Sequence, residues 1–93
     1  MNKVASVRPM LDGKVSVEMA DGRCGEFDVR PYMGSEFFRA LEAPDYFQQV
    51  RIVFRGIGWP EGQDIGPDTI AAELVSHARI EINQRGQGLM ALG

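Results

Sequence analysis

A strict alternation of apolar and polar residues near the N-terminus constrains the fold of this chain more than any other feature. In the segment KVSVEMA, residues 14–20, every second residue is apolar: Val15, Val17 and Met19. A period of two is typical of a strand with one buried face. The dipeptides Asp12-Gly13 and Asp21-Gly22 bracket the segment. Asp-Gly favours the positive backbone angles of tight hairpin turns.

Extended segments flank this strand on both sides. KVASVR precedes it, and RCGEFDV follows it with Phe27 and Val29 on one face. The sequence therefore predicts three antiparallel strands in chain order, a β-meander. Arg30-Pro31 ends the third strand, because proline cannot donate a backbone hydrogen bond to a neighbouring strand.

A short helix and a further pair of strands are predicted after the meander. In GSEFFRALEAP, Ser35 is a favourable N-cap, and the helix closes at Pro44. YFQQVRIVF and the following Arg55 then predict a strand in which Arg51 and Arg55 share one face with Val53. Gly56 permits a turn, after which a brief partner strand contains two large apolar residues: Ile57 and Trp59.

A second helix is predicted to begin at Pro67. Its apolar residues form one stripe at helical spacing: Ile70, Ala71, Leu74, Val75, Ala78 and Ile82. Gly86 and Gly88 end this helix, and residues 86–93 are predicted to form a loose tail.

These patterns predict a single α+β domain over residues 1–93. It contains an antiparallel sheet of four to five strands, with two helices covering one face. Hydrophobic content of 44% and charged content of 25% are typical of a folded globular chain. The large aromatic side chains are predicted to fill the core: Phe37, Phe38, Tyr46, Phe47, Phe54 and Trp59.

Composition excludes several classes of protein. The net charge is −3, so no field over the whole molecule favours nucleic acid. Cys24 is the only cysteine, which rules out an internal disulfide and fits a reducing compartment. No run approaches 18 apolar residues, and the N-terminus lacks a signal-peptide core, so we expect no membrane association and a cytoplasmic location.

The segment GWPEGQDIGPDTI, residues 58–70, is the most unusual in the chain. Pro60 stops a strand and Gly62 permits a turn. Pro67 suits the first position of a helix, and Asp68 suits its first turn, where a carboxylate faces the positive end of the helix dipole. Each of these residues therefore has a structural explanation.

The carboxylates of this segment also admit a chemical interpretation. Glu61, Asp64 and Asp68 could ligate a hard cation, and Asp64 with Asp68 could serve a small enzyme. However, a calcium loop needs acids at alternate positions and a distal glutamate, which are absent here. We predict no metal, no cofactor and no catalytic residue, and a small enzyme or metal protein remains an alternative.

Other candidate residues are few. Cys24 and His77 could form a nucleophile pair, but no third, orienting group is identifiable. Arg51 and Arg55 could meet phosphate or an acidic partner, so a nucleic-acid-binding regulator is a second alternative.

Three segments of the chain form a combined pattern: ADGRCGEFDVRP, FFRALEAPDYFQQVRI and WPEGQDIGPDTI. Together they resemble a bacterial domain-of-unknown-function family, number 2442, over residues 4–74. In that family alanine is more usual where this chain has Gln63, a change expected to matter little. The resemblance implies a small α+β domain without an established activity. Some relatives carry a C-terminal helix-turn-helix, for which this chain has too few residues after Leu74, and others are similar to antitoxin-like proteins.

The function favoured by these observations is a non-enzymatic protein-binding module, regulatory or antitoxin-like, with an unidentified protein partner. Self-association is also expected, because small domains have little core. A homodimer would cover apolar residues of the second helix and the tail. The predicted interaction surface contains five residues: Arg51, Arg55, Val75, Ile82 and Leu89.

Overall fold

Antiparallel hairpins form most of the fold in the computed structural model, which describes residues 1–76. The described range contains seven strands and two α-helices. The strands are β1 Val4–Pro9, β2 Lys14–Met19, β3 Cys24–Asp28, β4 Arg51–Val53, β5 Gly56–Gly58, β6 Asp64–Ile65 and β7 Val75–Ser76. The helices are α1 Pro44–Phe47 and α2 Pro67–Glu73, and 3₁₀ helices span Arg30–Tyr32 and Phe38–Glu42.

The N-terminal β-meander is confirmed. Strands β1, β2 and β3 pair antiparallel in chain order, with Val15 opposite Phe27 and Val17 opposite Val7. The inward face of β2 is buried, as the alternation predicts: Val15, Val17 and Met19. Hairpin turns with positive backbone angles close both ends of β2, at Asp12 and Gly13 (φ 68° and 74°) and at Gly22 (φ 100°).

The remaining strands divide between two antiparallel sheets. One has the order β1-β2-β3-β7, and the other has the order β4-β5-β6. The sheets meet where the backbone N–H of Val4 donates to the carbonyl of Arg55 at 2.8 Å. The predicted α+β class with antiparallel strands is confirmed.

The first predicted helix differs from the observed one. Residues Phe38–Glu42 form a 3₁₀ helix, and Pro44 begins α1 instead of closing the preceding helix. Ser35 lies just before this 3₁₀ helix, and its Oγ accepts a hydrogen bond from the backbone N–H of Phe38, the first residue of the helix, at 3.3 Å. Proline forces the residue before it toward an extended conformation, and Ala43 (ψ 118°) breaks the helical run there.

The predicted second helix is too long. Helix α2 begins at Pro67 as predicted but ends at Glu73, and Val75–Ser76 form β7 against β3. This pairing requires Gly25, since a Cβ there would lie 2.0 Å from the carbonyl oxygen of Val75. The predicted helical residues Ala78 and Ile82 and the tail 86–93 lie outside the described residues.

One buried cluster joins the two sheets and the helices. Its members are Val4, Val15, Val17, Met19, Phe27, Val29, Leu41, Phe47, Ile57, Trp59, Ile65 and Ile70. The predicted aromatic core is correct for Phe47 and Trp59 but wrong for Phe37 and Phe54, whose side chains are 53% and 86% exposed. Strand β4 ends at Val53, so Phe54 falls in the following turn instead of on a strand face.

Neither described helix is long and apolar enough to cross a membrane, a statement that covers residues 1–76.

Replacement of Trp59 by alanine should strongly destabilise the fold. The indole is fully buried, its ring lies 5.7 Å from that of Phe47, and its Nε1 donates to the Phe47 carbonyl at 2.9 Å. We expect Trp59→Ala to lower the free energy of unfolding by about 3–5 kcal/mol, measured by denaturant titration followed by circular dichroism.

The control is Arg8→Gln, which changes an exposed side chain on β1 and should change stability by no more than about 0.5 kcal/mol. A Trp59→Ala variant as stable as this control would contradict the structural role of the indole.

Candidate functional site

The unusual segment 58–70 forms a hairpin turn that leads into helix α2. The backbone N–H of Trp59 donates to the carbonyl of Gln63 at 2.9 Å, and Gly62 (φ 106°) closes the turn onto the Trp59 carbonyl at 3.0 Å. Pro67 lies in the first turn of α2, as predicted. Trp59, Gly62 and Gln63 therefore have structural roles in the turn, and Pro67 has one at the start of the helix.

Gln63 is the buried polar centre of this turn. Its side chain is only 1% exposed. Its Oε1 accepts a hydrogen bond from the Tyr46 hydroxyl at 2.7 Å, and its Nε2 donates to the Phe37 carbonyl at 3.0 Å. The same hydroxyl accepts from the backbone N–H of Glu61 at 2.7 Å. The interpretation of Gln63 as an unimportant departure from the family pattern is wrong, because alanine could make none of these side-chain bonds.

The carboxylates of the segment do not assemble a metal site. Glu61, Asp64 and Asp68 are all exposed. Asp68 lies in the first turn of α2, where its Oδ1 accepts a hydrogen bond from Asn2 at 2.9 Å. Across residues 1–76, no group of three His, Cys, Asp or Glu side chains could hold a metal ion.

The predicted interaction residues are distributed over separate elements. Arg51 lies on β4, whereas Arg55 lies in the β4–β5 turn with φ 69°, so the two do not share a strand face as predicted. Val75 lies on β7 of the other sheet and is exposed. Ile82 and Leu89 lie outside the described residues, as does His77, while Cys24 is an exposed thiol on β3.

An open, largely apolar groove with a volume of about 440 Å³ lies between α1 and the turn that joins β1 to β2. We define the apolar groove by its lining residues: Met10, Leu11, Asp12, Gly13, Arg30, Met33, Leu41, Glu42, Pro44, Phe47 and Gln48. Leu41 and Phe47 are buried core residues, whereas Leu11 is 81% exposed. A concave, largely apolar surface with a few polar groups at its edge is typical of binding sites.

Four separate segments position the apolar groove. The β1–β2 turn supplies Leu11, the chain after the first 3₁₀ helix supplies Met33, and the second 3₁₀ helix and α1 supply Leu41 and Phe47. Gly13 is needed at the turn because a Cβ there would lie 2.6 Å from the Cγ of Arg30, and because its φ is +74°. Sequence reasoning missed this site, since no local pattern links the four segments.

Arg30, one of the charged residues at the edge of the apolar groove, forms an ion pair with Asp28. The Arg30 guanidinium donates to both carboxylate oxygens of Asp28, at 2.9 and 2.8 Å. This hydrogen bonding lowers the pKa of Asp28 below its usual value. Asp12 and Glu42 also line the apolar groove. Its edge therefore carries two carboxylates in addition to the Arg30 guanidinium, which is paired with Asp28.

A family model described as "Protein of unknown function (DUF2442)" matches residues 4–76, which is most of the chain. The match confirms the resemblance inferred from the three sequence segments. No curated protein and no solved structure matches the chain significantly.

Removal of the Tyr46 hydroxyl should destabilise the turn through Gln63. Tyr46→Phe leaves the Gln63 Oε1 and the Glu61 N–H without this partner, and loss of a partner for a buried polar group costs about 1–3 kcal/mol. We expect a loss of that size in the free energy of unfolding.

A double-mutant cycle with Gln63→Ala isolates the interaction. The double variant should be less destabilised than the sum of the single variants, because the two side chains share one hydrogen bond. Strict additivity would show that the pair does not interact.

The Asp28 carboxyl should titrate at higher pH when Arg30 is replaced. Hydrogen bonding to Arg30 lowers the pKa of Asp28 in the folded protein below its value in the unfolded chain. The ion pair therefore stabilises the fold at pH values above the unfolded-state pKa, and this stabilisation is lost as the pH falls through the folded-state pKa. Arg30→Gln should shift the Asp28 titration, followed by NMR, upward. Asp21, whose pKa is lowered by Arg23, is the internal control and should not move.

Proposed function

The chain belongs to the protein family of unknown function DUF2442, and we propose that it is a non-enzymatic protein-binding module whose apolar groove receives a side chain of a partner protein. The observation that carries this proposal is the groove itself. It joins exposed Leu11 to the buried floor formed by Leu41 and Phe47, so an entering apolar group would contact the core directly.

The composition of the apolar groove suits a protein ligand. Met10 and Met33 line it together with Leu11, and methionine side chains adapt their shape to different apolar partners. An exposed leucine beside a buried aromatic floor offers apolar area that becomes desolvated on binding, which is the main favourable contribution to association.

The two alternatives have less support. The carboxylates of segment 58–70 are exposed and belong to no metal-binding group within residues 1–76. For nucleic acid, Arg51 and Arg55 are exposed cations, but the chain carries a net charge of −3. A regulatory or antitoxin-like role is a form of the proposed binding function.

Site-specific photocrosslinking tests the proposal. A photoreactive phenylalanine analogue is placed at Leu11 in the full chain and activated in cells of the native host. We expect a discrete protein adduct, because Leu11 lies at the entrance of the apolar groove. The control position is Ala20, which is exposed at the opposite end of β2.

A second variant links the adduct to the groove. Met33→Glu places a charge in the apolar groove and should weaken the adduct at Leu11 about tenfold. Equal crosslinking at Leu11 and Ala20, or an adduct that is indifferent to Met33→Glu, would refute the binding function.

A further inference from the structure

The tip of the β4–β5 hairpin carries a side chain that its backbone disfavours. Val53 pairs with Gly56, so Phe54 and Arg55 form a two-residue turn with φ 50° and 69°. Turns of this kind favour asparagine and glycine, and a bulky residue with positive φ is an outlier. The sequence places an aromatic ring where folding alone would favour a small polar residue.

Packing does not explain this ring. The Phe54 side chain is 86% exposed, and Ile52 on the adjoining strand is exposed as well. Strained backbone positions cluster at functional sites, and aromatic and arginine side chains are enriched at protein interfaces. The Phe54–Arg55 turn therefore has the properties of a recognition element.

The chemistry of the tip defines what it would bind. Phe54 offers an apolar ring, and Arg55 and Arg51 offer two exposed cations on the same hairpin. A complementary surface has an apolar pocket with carboxylates at its edge.

The apolar groove of this same chain has those properties. Its walls include Leu11 and Met33, its floor includes Phe47, and its edge carries the carboxylates of Asp12 and Glu42. The arginine at its edge, Arg30, is already paired with Asp28.

We infer that the partner is a second copy of this chain, with the Phe54–Arg55 tip of one copy inserted into the apolar groove of the other. This inference rests on the proposed function, because the apolar groove is the receiving surface. Each copy carries both halves of the contact, so two reciprocal insertions close a two-fold dimer.

Sedimentation velocity of the full chain at micromolar concentrations gives the first measurement. We expect a mass of twice 10.3 kDa that falls to 10.3 kDa on dilution. Phe54→Asn should weaken self-association tenfold or more, because it removes the inserted ring. The same change should raise the melting temperature of the monomer, since asparagine suits the turn. Phe37→Ser removes an exposed ring outside both surfaces and should leave the mass unchanged.

Mixing two variants and reversing a pair of charges show whether a variant loses the dimer contact itself or only disturbs the fold of the monomer. Leu11→Glu blocks the groove and Phe54→Asn removes the tip, so each variant alone should be monomeric. Their mixture should form a weaker heterodimer through the one intact pair of surfaces. Arg55→Glu should weaken self-association, and combination with Glu42→Arg should restore it.

Two results would overturn the inference. If the chain stays at 10.3 kDa at all concentrations while Leu11 crosslinks a different protein, the second copy is excluded and the proposed function stands. If Phe54→Asn leaves the dimer intact and deletion of residues 77–93 abolishes it, the interface lies elsewhere. An adduct at Leu11 of twice the chain mass, lost in Phe54→Asn, supports both proposals.

Discussion

The burial of Trp59 is the interaction on which the rest of this structure depends. Its indole lies against the ring of Phe47 and donates to the Phe47 carbonyl, so it fixes α1 against the β5–β6 turn. Phe47 is also the floor of the apolar groove. The tryptophan thus connects the unusual sequence segment to the candidate site, although it does not line that site itself.

A buried network of hydrogen bonds restricts the orientation of the elements that this apolar contact brings together. The Tyr46 hydroxyl on α1 donates to the Gln63 side chain, and Gln63 in turn donates to the Phe37 carbonyl in the segment before α1. Hydrophobic contact tolerates small sliding motions, whereas hydrogen bonds between buried groups fix one arrangement. Together the two interactions set the position of α1 relative to the turn, and therefore the shape of the groove floor.

Local sequence patterns predicted the elements whose structure depends on neighbouring residues, and missed those that depend on contacts between residues far apart in the sequence. The meander was predictable because the period of two around Val15 and the Asp12-Gly13 turn agree with each other. Strand β7 was not predictable, because it depends on the close approach of Val75 to Gly25, far apart in sequence. Pro44 was misassigned because proline is equally compatible with the end of one helix and the start of the next.

The candidate site was harder to predict for the same reason. The apolar groove draws residues from four segments, and neither Leu11 nor Met33 belongs to a motif. Phe54 was misplaced because YFQQVRIVF predicts a strand that includes it, and its aromatic side chain was predicted to lie in the core. A sequence that folds well agrees with its structure at every level, and departures from local preference occur where function requires them. An exposed phenylalanine in a left-handed turn is such a departure, which is why Phe54 is the residue that the fold explains least and the proposed contact explains best.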